Sequence, residues 1–137
     1  MYGETTGAVR AILRIEGLCM LLLATYAYFY FSHQFGVNGW WFVVLFMVPD
    51  LIFLAYFAGP KIGGALYNAV HTYVSPLACA LLGSYFEIHA LILGAAIWFA
   101  HLGYDRMRGN GLKYPQGFAY THLRKIRALP DWVSPRS

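Results

Sequence analysis

The stretch Trp40–Ala58, WWFVVLFMVPDLIFLAYFA, carries one ionisable side chain, Asp50, in an otherwise apolar run. About 20 apolar residues in a helix are needed to cross a hydrocarbon core of ~30 Å, and this run has that length. Trp40 and Trp41 open it with the aromatic pair expected where a span enters the headgroup region. Working outward, three more apolar runs of similar length appear. The spacing predicts spans over about 11–31, 40–58, 62–82 and 85–103, separated by the polar connector Ser32–Gly39, the Gly59-Pro60-Lys61 turn and the Gly83-Ser84 break. β-Barrel strands would be half as long and would alternate in polarity, so helices are expected.

Composition agrees. Hydrophobic residues make up 59% of the 137, and charged residues only 12%. A soluble domain of this size carries about a quarter charged residues. One integral membrane domain over 1–137 is therefore expected, with no repeat and no second domain. Arg14 and Glu16 interrupt the early apolar run and no A-x-A pattern follows it, which argues against a cleavable signal. Cys19 and Cys79 fall in opposite halves of the bundle, more than ~10 Å apart in depth, so no disulfide between them is expected and both should be buried and inert.

The net charge of +4 would suit nucleic acid, but its placement does not. Arg10, Arg14, Lys61, Arg106, Arg108, Lys113, Arg124, Lys125, Arg127 and Arg136 all flank one side of the predicted bundle. The positive-inside rule then puts both termini and a short basic tail, 104–137, in the cytoplasm of a multi-pass membrane protein. The bilayer and its anionic headgroups are the expected partners, not nucleic acid. Arg106, Arg108 and Lys113 around Gly109-Asn110-Gly111 could instead bind phosphate; lipid contact is the plainer use. His33, Glu87 and His89 fall toward the opposite face and should be solvated at the interface.

Intramembrane ionisable groups are expensive, and here they share a depth. Glu16, Asp50, Asn68, His71, His101 and Asp105 all fall between the cytoplasmic surface and the bilayer middle, and His122 on the tail lies on the same side. His101 and Asp105 are i,i+4 and share a helix face, which Gly94 and Trp98 continue. Carboxylate oxygens with neutral imidazoles suit a divalent ion such as Zn, Mn or Fe. The expected ligands are Asp50, His71, His101 and Asp105, with Glu16 a further ligand or general base and His122 a closing ligand or general acid. The competing use is an ion-pair network, with Glu16 on Arg106 and Asp50 on His71. The number of costly groups on four helices favours the ion.

The motifs Arg14-Ile15-Glu16-Gly17, Pro49-Asp50, Gly59-Pro60 with Gly63, and Tyr67-Asn68-Ala69-Val70-His71-Thr72 are spread along the chain. His101-Leu102-Gly103-Tyr104-Asp105-Arg106, Gly109-Asn110-Gly111-Leu112-Lys113-Tyr114 and Thr121-His122-Leu123 follow. As a set they resemble the domain-of-unknown-function 4260 family of small bacterial membrane proteins. The resemblance implies a four-helix protein of the bacterial inner membrane and no particular reaction.

Three functions are expected to compete. The first is a metal-dependent membrane hydrolase of a lipid or other amphiphile, in which the ion polarises a carbonyl or phosphoryl oxygen and lowers the pKa of its water toward ~7. The second is a small proton-coupled transporter, weakened by an outer half of Leu, Ala, Tyr, Phe and Trp. The third is a non-catalytic subunit or assembly factor of a larger complex. A bis-histidine haem is disfavoured, because His71 is read as half-way into the bilayer and His101 as near its surface. The clustered His boxes of membrane desaturases and a CxxCH are absent.

Overall fold

Pro76 decides how the third apolar run folds. A proline ring inside a helix clashes with the carbonyl four residues back and removes a hydrogen bond. The carbonyl concerned is that of Thr72, and there the helix breaks, with Thr72 extended at φ −90 and ψ 148. The computed structural model describes residues 6–113. Those residues are helical and include no β-strand: α1 Gly7–Gln34, α2 Trp40–Leu45, a 3-10 segment Val48–Ala58, α3 Pro60–His71, α4 Val74–Tyr85 and α5 His89–Arg108. The run expected as one span over 62–82 is therefore two helices of 12 residues each, α3 and α4.

The 3-10 segment is 11 residues long, well beyond the three or four usual for this conformation. With three residues per turn it aligns Met47, Asp50, Phe53 and Tyr56 along one edge. It also rises ~2.0 Å per residue, so with α2 it covers roughly 30 Å in fewer residues than an α-helix needs. Trp40–Ala58 is the one stretch among the described residues that is both long and apolar enough to cross a membrane, with a mean hydropathy of 2.1. α5 ends in Asp105, Arg106 and Arg108, and α3 and α4 are each too short.

α1 and α5 form the spine. A Cβ on Gly17 would lie 2.5 Å from the Met107 nitrogen, and one on Gly103 would lie 2.5 Å from the Leu21 nitrogen. The two backbones therefore touch through facing glycines, the close approach that small residues allow between apolar helices. α4 returns antiparallel beside α5 and α3 beside the 3-10 segment. A small apolar core of Tyr28, Leu93, Ala96 and Ile97, flanked by Phe35, Val37, Phe42 and Phe46, closes the far end. The Tyr28 hydroxyl donates to the Asn38 carbonyl at 3.3 Å.

Large apolar side chains are mostly outside. Leu22, Leu23, Trp40, Leu51, Phe57 and Leu81 are each more than half exposed, and no residue of Trp40–Ala58 is buried. His33, Glu87 and His89 are exposed at the end away from Asp105. Cys19 and Cys79 are free thiols, but Cys19 is exposed rather than buried, because the adjacent Leu18 and Cys19 turn outward while Gly17 faces α5.

The glycine contact gives a direct test. Gly103→Leu must push α1 off α5 and should cost more than the ~1–3 kcal/mol typical of overpacking, since backbone rather than a movable side chain is in the way. Gly94→Ala, with nothing within 4 Å of its Cβ, should be tolerated. Thermal unfolding of the detergent-solubilised variants measures the difference.

Candidate metal centre

The end of α3 exposes carbonyls that a continuing helix would have satisfied. Three side chains take them. Ser75 Oγ donates to the Ala69 carbonyl, Trp98 Nε1 to Val70 at 2.7 Å, and an Arg106 Nη to His71 at 3.2 Å. Two of those donors come from α5, so the break that Pro76 causes is also what pins His71 against α5. His71 ends up 3% exposed. Its Nδ1 lies 3.0 Å from the Tyr67 carbonyl, and its ring stacks on Tyr67 with centroids 3.8 Å apart. Donation from Nδ1 to that carbonyl leaves the Nε2 lone pair facing inward, the orientation typical of a metal-binding imidazole.

α5 supplies the opposite wall. His101 is fully buried, in edge-to-face contact with Phe46 and with His71, each at 5.5 Å between ring centroids. Asp105 follows one turn on. Beyond it Gly109 adopts the left-handed conformation at φ 84, which a Cβ would strain. The resulting Schellman turn bonds Gly109 N to the Arg106 carbonyl and Asn110 N to the Asp105 carbonyl. That turn brings the Asn110 side-chain amide to 3.4 Å from Asp105 Oδ1 and leaves Oδ2 for the interior. Asp50 approaches from the first turn of the 3-10 segment, its side chain 42% exposed.

These four groups meet at one point. His71 Nε2 is 3.5 Å from Asp50 Oδ1 and 3.6 Å from Asp105 Oδ2. His101 Nε2 is 3.3 Å from Asp50 Oδ1 and 3.6 Å from Asp105 Oδ2. All four ligand atoms lie within 4.8 Å of one another. These four contacts are ion pairs if the imidazoles are protonated, each longer than the about 2.7–2.9 Å of the strongest charge-assisted hydrogen bonds to carboxylates. Both Nε2 atoms are buried without a hydrogen-bond partner among the described residues. Zinc bonds of about 2.0–2.1 Å imply tetrahedral edges near 3.3–3.4 Å; the four imidazole–carboxylate separations are close to that, while the other two pairs lie within 4.8 Å. The group could hold a metal ion.

Asp50 opens the cluster onto a cavity of 570 Å³ whose walls include Tyr67, Tyr104, Arg108, Asn110 and Lys113. The segment after α5 is clamped across it. Asn68 Nδ2 donates to the Lys113 carbonyl at 2.7 Å, and Lys113 N donates back to Asn68 Oδ1 at 2.6 Å.

Of the six site residues expected from sequence, Asp50, His71, His101 and Asp105 are brought together. Glu16 is not. It is exposed on α1 and outside the group, because Gly17 faces α5 and the preceding residue is turned away by ~100°. His122 lies outside the described residues. The expected depth difference between His71 and His101 is corrected: a broken α3 ends at His71 and delivers its ring beside His101. Sequence reasoning missed Tyr67, Asn110 and the capping role of Trp98. Their signals were present in the i,i−4 spacing of Tyr67 to His71, the Gly109-Asn110 turn and Pro76.

Replacing Trp98 by Phe keeps the bulk but leaves the Val70 carbonyl without its donor. A lost partner of this kind costs about 1–3 kcal/mol. A lower melting temperature in detergent is expected, and an unchanged one would show that the cap is not needed.

The profile of one sequence family, described as a domain of unknown function (DUF4260), matches residues 10–126. No curated protein and no solved structure matches the chain.

Proposed function

This chain belongs to the domain-of-unknown-function (DUF4260) family, and we propose that it is a metal-dependent integral membrane hydrolase acting on an amphiphilic substrate. The observation that carries the reading is the pair of buried imidazole nitrogens, without a hydrogen bond among the described residues, facing two carboxylate oxygens at 3.3–3.6 Å. The membrane setting is supported by the apolar exterior and by the Trp40–Ala58 stretch. In this reading the chain crosses the bilayer four times, with α3 and α4 forming one broken crossing. The one-sided Lys and Arg residues place both termini in the cytoplasm of a bacterial inner membrane.

His71, His101, Asp50 and Asp105 would hold a divalent ion such as Zn, Mn or Fe. A closed tetrahedral shell of four protein ligands leaves no place for water, so the hydrolase reading requires an expanded shell or the release of one ligand, and the ion would then polarise the scissile oxygen and acidify a water. The chain's own residues do the rest. Tyr67 fixes the tautomer and plane of His71 through its carbonyl and ring. Asn110 holds one oxygen of Asp105, so the other stays aimed at the cluster. Asp50 uses one oxygen in the cluster while lining the cavity, so its second oxygen is the proton acceptor for a water entering there. Phe46 excludes solvent from the His101 side. Glu16, on the outer face of α1, is not given the base role; His122, outside the described residues, is kept as the candidate acid.

A second reading, a non-catalytic subunit of a larger complex, is favoured by one observation. Trp40–Ala58 has no buried residue, so a partner could cover it.

Elemental analysis of protein purified without chelator should find one divalent ion per chain. His71→Ala and His101→Ala should each weaken its binding by at least 100-fold, since a buried ligand is lost. Affinity should fall on acidification, because protons compete with the ion for the imidazole and carboxylate ligand atoms. Metal-free protein that also rejects added Zn, Mn and Fe overturns the reading. Stoichiometric co-purification with a partner, with both alanine variants fully functional, favours the second.

A further inference from the structure

The 3-10 segment sorts its residues onto three edges, because with three residues per turn every third side chain points the same way. Leu51, Leu54 and Phe57 form the outer edge, each more than half exposed. Asp50 and Phe53, with Met47 just before the segment, line the cavity beside the metal centre. Pro49 and Ile52, on the remaining edge, line a second cavity of 360 Å³. In an α-helix, at ~100° per residue, Met47, Asp50 and Phe53 would fan over about 120° and drift off a single wall. The long 3-10 conformation thus keeps Asp50 and the Pro49–Ile52 edge on two sides of one thin partition.

Opposite that edge the second cavity is walled by Val70 of α3 and by Gly94, Ile97 and Trp98 of α5. Among the described residues its side chains are apolar except for one indole N–H. That group, Trp98 Nε1, is committed to the Val70 carbonyl at 2.7 Å, and the bond ties α3 to α5 across the space. A Cβ on Gly94 would meet nothing within 4 Å. Each wall leads to the metal centre. Pro49 precedes Asp50, Val70 precedes His71, and Ile97 shares a helix face with His101 four residues on. A volume of 360 Å³ lies at the low end of the roughly 300–1,000 Å³ of small-molecule pockets, which suits one slender chain better than a ring system or paired chains.

We propose that this cavity is the seat of a single alkyl chain of the amphiphile, whose polar end reaches the cluster at Asp50, and that Gly94 sets how much of the chain is taken in. The assignment rests on the hydrolase reading above and adds the part of the substrate that is not cleaved. Recognition of the chain needs no charge, since removing apolar surface from water is favourable by itself. A chain seated behind the partition holds the head group at the depth of the cluster. Binding energy remote from the reacting bond is thereby used to position that bond.

The test uses the full chain in digitonin, which has no alkyl chain to compete, loaded with Zn²⁺ and with metal content measured on every sample. Acetohydroxamate and octanohydroxamate share a metal-chelating head and differ only in the tail. Both are titrated calorimetrically, with the micelle partition of the longer one subtracted. Octanohydroxamate should bind at least ~10-fold more tightly than acetohydroxamate, because each buried methylene adds affinity. It should bind metal-free protein at least ~10-fold more weakly than loaded protein, because head and tail then no longer act as linked sites. Gly94→Leu and Gly94→Phe fill the open space to different extents. Both should retain metal and acetohydroxamate and remove the advantage of the longer acid stepwise. Equal affinity of the two acids for loaded protein overturns the alkyl site and leaves the hydrolase reading standing. So does an advantage that survives both Gly94 variants or is the same without metal. Loaded protein that binds neither acid overturns the hydrolase reading and this assignment with it.

Discussion

Two buried imidazoles meet two carboxylates, Asp105 buried and Asp50 partly open to the cavity, brought from three different helical segments. Their separations of 3.3–3.6 Å are longer than the strongest hydrogen bonds and close to the spacing of ligand atoms around a metal ion. Unpaired polar groups in an apolar interior are among the most expensive features a fold can carry. Much of the surrounding structure is arranged so that these four side chains cannot relax apart. Tyr67 and Asn110 each fix one of them, and Phe46 packs against a third.

The backbone around the cluster follows from a few residues whose effects are steric. Pro76 ends α3 at His71, and the carbonyls it strands are taken by Ser75, Trp98 and Arg106. Gly17 and Gly103 let α1 and α5 touch, which sets the spine carrying His101 and Asp105. Gly109 turns the chain after α5 so that Asn110 meets Asp105 and Lys113 reaches Asn68. Binding chemistry and helix termination are thus the same set of contacts viewed from two sides. A centre assembled at helix ends is also open to the cavity beyond them, which an ion held mid-helix would not be.

How much of this could be read from residues alone varied with the kind of information needed. Asp50, His71, His101 and Asp105 were identifiable because depth in an apolar helix is nearly linear in residue number and charged groups there are rare. The i,i+4 spacing of His101 and Asp105 fixed their shared face without any tertiary knowledge. Glu16 shows where that ends: residue number gave its distance along α1, but its orientation depended on which side of α1 the Gly17 contact would use. The relative depth of His71 and His101 failed for another reason, since it assumed a straight helix through Pro76. The 3-10 conformation of Val48–Ala58 had no sequence signal at all, because apolar residues populate both helical forms. Crossing number and orientation rest on the Lys and Arg pattern and belong to the proposal; among the described residues one stretch, Trp40–Ala58, is long and apolar enough to cross a membrane.

The most direct measurement is X-ray absorption at the zinc edge on protein reconstituted with one equivalent of Zn²⁺ in detergent. The account predicts a first shell of nitrogen and oxygen at about 2.0–2.1 Å, with the multiple scattering of two imidazoles. A six-oxygen shell without imidazole scattering, or a hydrated ion indistinguishable from buffer, would contradict it.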